Sequence, residues 1–343
     1  MTATNARSAV MTERSRPAAP IFQQILQNRY AGALFSLLLV SAIVAATQPV
    51  FLTWPNLMNI VKSNSVVFVL AIGATFVVIA GAIDLAVASA TAACAMVLGL
   101  LLVAGMPAYV AIPAALLFGG FLGAINGTLI SYFKISFFVV TLGSLSMFQS
   151  FALIVNDGGS ISVFSSPGFA PISAFVNGNI GAVPIILVFD LALLLIAGGV
   201  LRYTAFGRAL YAIGANTEAA RLNGIDVKRI MLLVFVIAGL MAGLGSVVQV
   251  GRLTSASAEI DPTLLLTVLA AVLIGGTAYT GGEGGVFGTM IGVLFLGVIQ
   301  NGLTLSGVSS FWQGMVSGLI LILAVWLGGL RQVLRRRRQA RIG

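Results

Sequence analysis

The sequence predicts an all-α integral membrane protein, a polytopic bundle of about ten transmembrane helices with one short helix in a charged loop. Three observations carry that prediction. Of 343 residues, 59% are hydrophobic and only 8% charged, where a soluble domain carries about 25% charged residues. Mean hydropathy is +1.08. Apolar runs of roughly twenty residues, the length that crosses a bilayer, recur along the chain. Histidine is absent and Cys94, inside one apolar run, is the only cysteine. Disulfides are thereby excluded, and no Cys/His donor set exists for a metal site or for catalysis.

Taken in order, residues 1–29 are polar, rich in Ala, Ser, Thr and Arg, and read as a disordered tail. The first span runs from Ala31 to Val50 and, lacking a cleavage pattern, reads as a signal anchor. Pro49 and Pro55 bracket the next turn, with Trp54 as an interfacial aromatic. Further spans are expected near 64–82, 88–105, 108–131, 137–155, 184–201, 230–250, 263–280, 285–304 and 312–330. Residues 30–330 thus form one transmembrane domain, followed by a basic tail, 331–343, with six arginines. Such a tail suits anionic lipid and not nucleic acid.

Ten spans put both termini on one side. Placing them in the cytoplasm leaves sixteen of the eighteen Lys and Arg inside, with Lys62 and Arg252 outside, as the positive-inside rule requires. The loop 202–229 is then cytoplasmic. The longest external segment, 156–183, contains Gly158, Gly159, Pro167, Gly168, Pro171 and Gly178. Those turn formers suit either a loop folded back over the outer mouth or a simple long connection.

Within 202–229 lies the longest charged interlude, Gly207 to Asp226. It reads as a short amphipathic helix. Asn216 or Thr217 can cap its start, and Glu218 places an acid in the first turn, where the helix dipole favours one. Ala219, Ala220, Arg221 and Leu222 are good helix formers, and Gly224 suits the left-handed residue that ends a helix. So short a helix is marginal alone in water, which points to a second protein that holds it.

Glycines four apart (Gly119, Gly123, Gly127; Gly239, Gly243; Gly284, Gly288, Gly292; Gly314, Gly318) mark faces where helix backbones approach closely in lipid. Three polar residues interrupt apolar runs. Asp84, in Gly81 to Ser89, either caps the next helix or points into a substrate path. Asn126 either bonds a neighbouring helix or lines that path. Asp190 either faces a polar lumen or pairs with Arg252. The glycine-rich run Gly275 to Gly285, with Gly275, Gly276, Gly281 and Gly282, lacks the Lys-Ser/Thr of a phosphate-binding loop. It reads as a tight re-entrant turn. No Ser/His/Asp set or paired intramembrane carboxylates occur, so the residues offer no chemistry for an enzyme.

These residues resemble the permease subunits of bacterial sugar ABC importers of the ribose type, over nearly all of the chain after about Asn56. Glu218-Ala219-Ala220 followed by Gly224 is similar to the family's EAA…G motif. Arg208, Tyr211, Gly214, Asn216, Glu218, Ala219, Ala220, Arg221, Gly224 and Ile225 all fall on its Gly-Arg-x-x-Tyr-Ala run. Gly81 to Ser89, Gly123 to Gly127 with Thr141-Leu142-Gly143, Arg252-Leu253-x-Ser255-Ala256 and Ile274 to Thr277 also match. Ser136 replaces a usual proline, and Leu265 to Ala271 replaces an acidic Glu-Leu-Asp-Ala-Ile-Ala-Ala.

The resemblance implies a homodimer in the bacterial inner membrane with the path between two copies. It implies a periplasmic solute-binding protein that delivers the sugar, and an ATPase subunit that holds ATP and Mg and docks on the loop around Glu218. This chain itself would bind no cofactor. Rival readings keep the mechanism with another cargo (a nucleoside, a branched-chain amino acid or a signalling sugar), or replace it with an ion-gradient transporter or a passive channel. A gradient-driven transporter would want intramembrane carboxylates or histidines, and only Asp84 and Asp190 are available.

Overall fold

The computed structural model describes residues 31–259, 261–309, 312–316, 318–323 and 326. The expected tails, 1–29 and 331–343, and the far end of the last expected span lie outside the described residues.

The chain is mostly helical. In order it forms α1 (Ala31–Thr47), α2 (Trp54–Ile79), α3 (Val87–Val103), α4 (Ala108–Ser131), α5 (Phe137–Ile154), β1 (Ile161–Ser162), α6 (Phe169–Asn177), β2 (Asn179–Ile180), β3 (Val183–Pro184) and α7 (Ile185–Tyr203). Then follow α8 (Ala205–Ala215), α9 (Thr217–Leu222), α10 (Val227–Leu253), β4 (Ser255–Ala256), α11 (Pro262–Ile274) and α12 (Val286–Leu305). Among the described residues, six helices are long and apolar enough to cross a membrane: α2, α4, α5, α7, α10 and α12. The other expected spans, α1, α3, α11 and the helical residues in 312–323, are shorter apolar helices.

Two boundaries differ from expectation. The second span begins at Trp54 and not near 64, because Pro55 in the first turn starts a helix readily. Lys62 therefore sits inside α2, and its ammonium donates to Asn177 O and Asn179 Oδ1, each at 3.1 Å. The span expected to reach residue 280 stops at Ile274, where Gly275 caps α11 and the chain turns through the glycine run.

α2 is the hub. From Asn64 to Ile79 nearly every side chain is buried, packed by α10, α12, α11 and α7. α3 is buried almost as fully. By contrast α1, α4, α5 and α7 turn large apolar side chains outward, among them Phe35, Leu117, Met147 and Ile196, as helices facing lipid do.

The tightest pairing joins α4 to α10, and glycine permits it. A Cβ added at Gly119 or Gly123 would strike the Gly239 or Phe235 carbonyl. One at Gly243 would lie 2.8 Å from Leu116 Cα, and one at Gly127 3.0 Å from Leu232 O. Small residues every fourth position let the two backbones touch, so packing replaces the hydrophobic effect that lipid removes.

At the C-terminal end of α10 the long 156–183 segment folds back on the bundle. β1 pairs antiparallel with β4. α6 buries Phe169, Ile172 and Val176, the last two against Gly251 of α10. β2 and β3 close a small hairpin. The described basic residues segregate between the two ends. Lys62 and Arg252 lie at this end, while Lys134, Arg202, Arg208, Arg221, Lys228 and Arg229 lie at or beyond helix ends on the other.

Candidate functional site

The segment after α7 folds as two consecutive capped helices. Thr204 Oγ1 accepts from Gly207 N–H at 3.1 Å and starts α8. Asn216 Oδ1 accepts from Ala219 N–H at 3.0 Å and starts α9. α9 ends on Gly224, whose φ is +82, and Ile225 N–H donates back to Ala220 O at 3.1 Å. This is the 6→1 closure of a left-handed cap. Asp226 Oδ1 accepts from Arg229 N–H at 3.1 Å and opens α10. Three side-chain caps within 23 residues leave few orphan backbone groups, so the segment is stiff for its size.

α9 presents itself outward. Glu218 and Arg221 form a two-pronged exposed pair, at 2.6 and 3.1 Å, and the Arg221 hydrogen bonds hold the Glu218 carboxyl below its usual range. Ala220 is the buried residue that seats the helix. Ala219 and Gly224 face open space, and Leu222 is 75% exposed at the tip. Arg208 is exposed, with Nη1 3.4 Å from Tyr203 O.

α8 carries the contact inward. Gly214 lies against Ile79 O and Gly282 N, with no room for a Cβ. A Cβ on Gly281 would fall 2.7 Å from Gly81 Cα and 3.1 Å from Gly214 Cα, and one on Gly282 2.7 Å from Ala215 N. Gly282 N–H donates to Ile79 O at 2.9 Å, and Tyr211 Oη donates to Gly284 O at 2.9 Å. Gly275 packs separately, against Gly288 and Thr289 of α12, and Gly276 turns the chain at φ +89. Three backbones therefore meet at one point: the end of α8, the α2–α3 break and the α11–α12 turn. The sequence marks each glycine run but not their meeting, since no local pattern reports contacts between residues 81, 214 and 281.

The polar candidates separate. Asp84 Oδ1 accepts from Ala86 N–H at 2.9 Å, a turn that leads into α3. Asn126 Oδ1 accepts from Ser144 Oγ of α5 at 2.5 Å. Asp190 is buried and accepts from Ser65 Oγ of α2 at 2.9 Å. Arg252 instead donates to Ser63 O and Oγ, at 3.0 and 3.1 Å. The expected Asp190–Arg252 alternative is therefore not formed: each engages a different serine on α2.

At the opposite end from α9, a cavity of about 490 Å³ opens between α2, α10, α11 and α12. Its polar lining includes Asn59, Asn64, Gln249, Thr267 and Gln300. Gln249 and Gln300 are uncharged amides set in apolar spans, a signal that singling out only carboxylates and Asn126 misses.

Membrane-crossing helices, a capped polar loop at one end and a polar cavity at the other define a multi-pass membrane permease. The chain belongs to the permease family described as branched-chain amino acid transport system / permease component, which it matches over residues 56–325. It is 34% identical over 300 residues to the ribose import permease protein RbsC of Escherichia coli K12, covering 88% of this chain and 94% of that one. It is 35% identical over 307 residues to the Bacillus subtilis ribose import permease (89% and 94%). To the D-allose transport system permease protein AlsC of E. coli it is 36% identical over 301 residues (87% and 91%). No solved structure matches the chain.

Proposed function

We propose that this chain is the membrane-spanning subunit of an ATP-driven ABC importer that moves a monosaccharide across the bacterial inner membrane. Two copies enclose the path. A periplasmic binding protein delivers the sugar, and a separate ATPase subunit holds ATP and Mg. All ten apolar helices cross or enter the bilayer, with both termini in the cytoplasm, since that orientation puts the basic end of the bundle inside. The relatives named for ribose and allose support the sugar cargo.

The observation that carries the proposal is the rigid segment 204–226, exposed at α9 and welded by backbone contacts at Gly214 to both helix breaks. A short helix with a small-residue face and an exposed Leu222 fits a groove on a partner. Rigid-body motion of that partner then reaches α2, α3, α11 and α12 without passing through flexible side chains. Arg208, Tyr211, Gly214, Asn216, Glu218, Ala219, Ala220, Arg221, Gly224 and Ile225 form this coupling element. The glycines at 281 and 282 are its inner bearing. Asp84, Asn126 and Asp190 serve architecture.

Co-purification of the tagged chain in mild detergent, with and without Glu218→Lys, tests the reading. An ATPase subunit recovered with the unaltered chain and lost with the variant is expected. Recovery of the chain without an ATPase in both cases would overturn it.

A further inference from the structure

The cavity between α2, α10, α11 and α12 has the chemistry of a binding site that its own fold leaves unfilled. Thr267 is 2% exposed, lines the cavity, and its hydroxyl has no hydrogen-bond partner among the described residues. Asn64 is 7% exposed. Its Nδ2 donates to Ile60 O at 2.8 Å, and its Oδ1 accepts nothing among the described residues. Gly297 makes room for that amide, since a Cβ there would lie 2.5 Å from Asn64 Nδ2. The half-buried amides of Gln249 and Gln300 likewise have no partner among the described residues. Each amide brings two donors and an acceptor with two lone pairs. Among the described residues the wholly buried side-chain polar atom without a partner is Gln149 Oε1, away from this cavity. The amides and the hydroxyl named here are therefore open to the cavity and free to bond a molecule that enters it.

The charges restrict the ligand. The lining carries one arginine and one carboxylate, so its formal charge is zero. Arg252 already donates to Ser63, and Asp261 Oδ1 accepts from Thr263 N–H and Oγ1, at 2.8 and 2.7 Å. What remains offered is a set of neutral donors and acceptors. A neutral polyol matches that set, whereas a phosphate or a zwitterion would have to displace the bonds already made by Arg252 or Asp261. The volume of about 490 Å³ falls in the ~300–1,000 Å³ range of small-molecule sites.

We infer that this cavity is a transit site for an uncharged polyol within the membrane subunit, with Asn64, Gln249, Thr267 and Gln300 as the residues that select it. The inference rests on the importer reading and deepens it. Selection is then shared between the binding protein and the permease, and the permease rejects charged solutes.

Cys94 is fully buried, so L264C, at a lining position outside the four selecting residues, places a single accessible thiol at the cavity in the full-length chain. Its labelling rate by a neutral maleimide is measured on the detergent-purified protein, with A219C on the exposed α9 as control. The probes are D-ribose, D-allose and L-arabinose, against L-leucine and D-ribose 5-phosphate. At twice its dissociation constant, a bound sugar slows L264C labelling about threefold, the factor 1 + [L]/Kd. A219C labelling does not change. Adding T267V raises the sugar concentration needed by about fivefold, one hydrogen bond's worth. V67C, at another lining position, gives the same reading should L264C accumulate poorly.

Three outcomes would overturn the inference: no sugar protects, A219C is slowed equally, or leucine or the sugar phosphate protects as well. An ATPase that still co-purifies in a Glu218-dependent way then preserves the importer reading while the cavity assignment falls. Loss of that co-purification would fell the importer reading separately.

Discussion

Gly281→Ala and Gly224→Ala form a matched pair, because both glycines sit at nearly the same left-handed φ, +83 and +82. An L-residue in that region costs about 1–2 kcal/mol. At Gly224 nothing lies within 4 Å of the added Cβ, so the backbone term is the whole cost. At Gly281 the Cβ would fall 2.7 Å from Gly81 Cα and 2.8 Å from Gly81 N. Those are backbone atoms, which cannot rotate away, and overpacking of this kind adds about 1–3 kcal/mol. G281A should therefore cost about 2–5 kcal/mol against about 1–2 for G224A. At about 2 °C of Tm per kcal/mol for a chain of this size, the expected drops are ~4–10 °C and ~2–4 °C. Thermal ramps on the purified chain in one detergent, followed by tryptophan emission, read both. Equal drops, or a smaller drop for G281A, would refute the three-backbone junction.

Two further substitutions test the packing. Asp190→Ala strands the Ser65 hydroxyl inside the bundle and should cost about 1–3 kcal/mol, while Asp190→Asn keeps an acceptor and recovers most of it. Equal Tm shifts for the two would contradict the Ser65–Asp190 bond. Gly123→Leu drives a side chain into the Phe235 carbonyl of α10 and should exceed the ~1–3 kcal/mol usual for overpacking. Gly143→Leu, with nothing within 4 Å, should be tolerated. Size-exclusion profiles from membranes decide it, and a normal G123L peak would refute the close approach of α4 and α10.

Composition and run length were enough to read a helical membrane bundle, because burial in lipid imposes one element type on every spanning segment. The start and stop of α9 were legible too, since Asn216 and Gly224 act through local backbone geometry. α8 was missed as a helix of its own, although Gly207, Leu210 and Ile213, all buried, recur every third residue. The early start of α2 was readable from Pro55 but masked by the polar stretch around Lys62 and Asn64. The end of α11 was placed too late because hydropathy continues past Ile274 while the backbone turns. What the sequence hides altogether is convergence. Gly81, Gly214 and Gly281 carry no side chain, so neither charge nor periodicity links them. Neither reading left open for Asp190, a polar lumen or a pair with Arg252, named Ser65, because an opposite charge is a conspicuous candidate and a serine across the helix interface is not.

The most direct measurement pairs uptake with ATP hydrolysis in proteoliposomes carrying the co-purified complex, with and without Gly224→Trp. An added Cβ at Gly224 meets nothing within 4 Å, and Gly224→Ala, which bears the same backbone cost at φ +82, is the control that isolates the effect of the indole on a docked partner. Hydrolysis that persists while uptake falls at least about tenfold, a coupling loss of ~1.4 kcal/mol or more, is the expected result. Normal uptake by G224W would contradict the docking of α9 and the importer mechanism built on it.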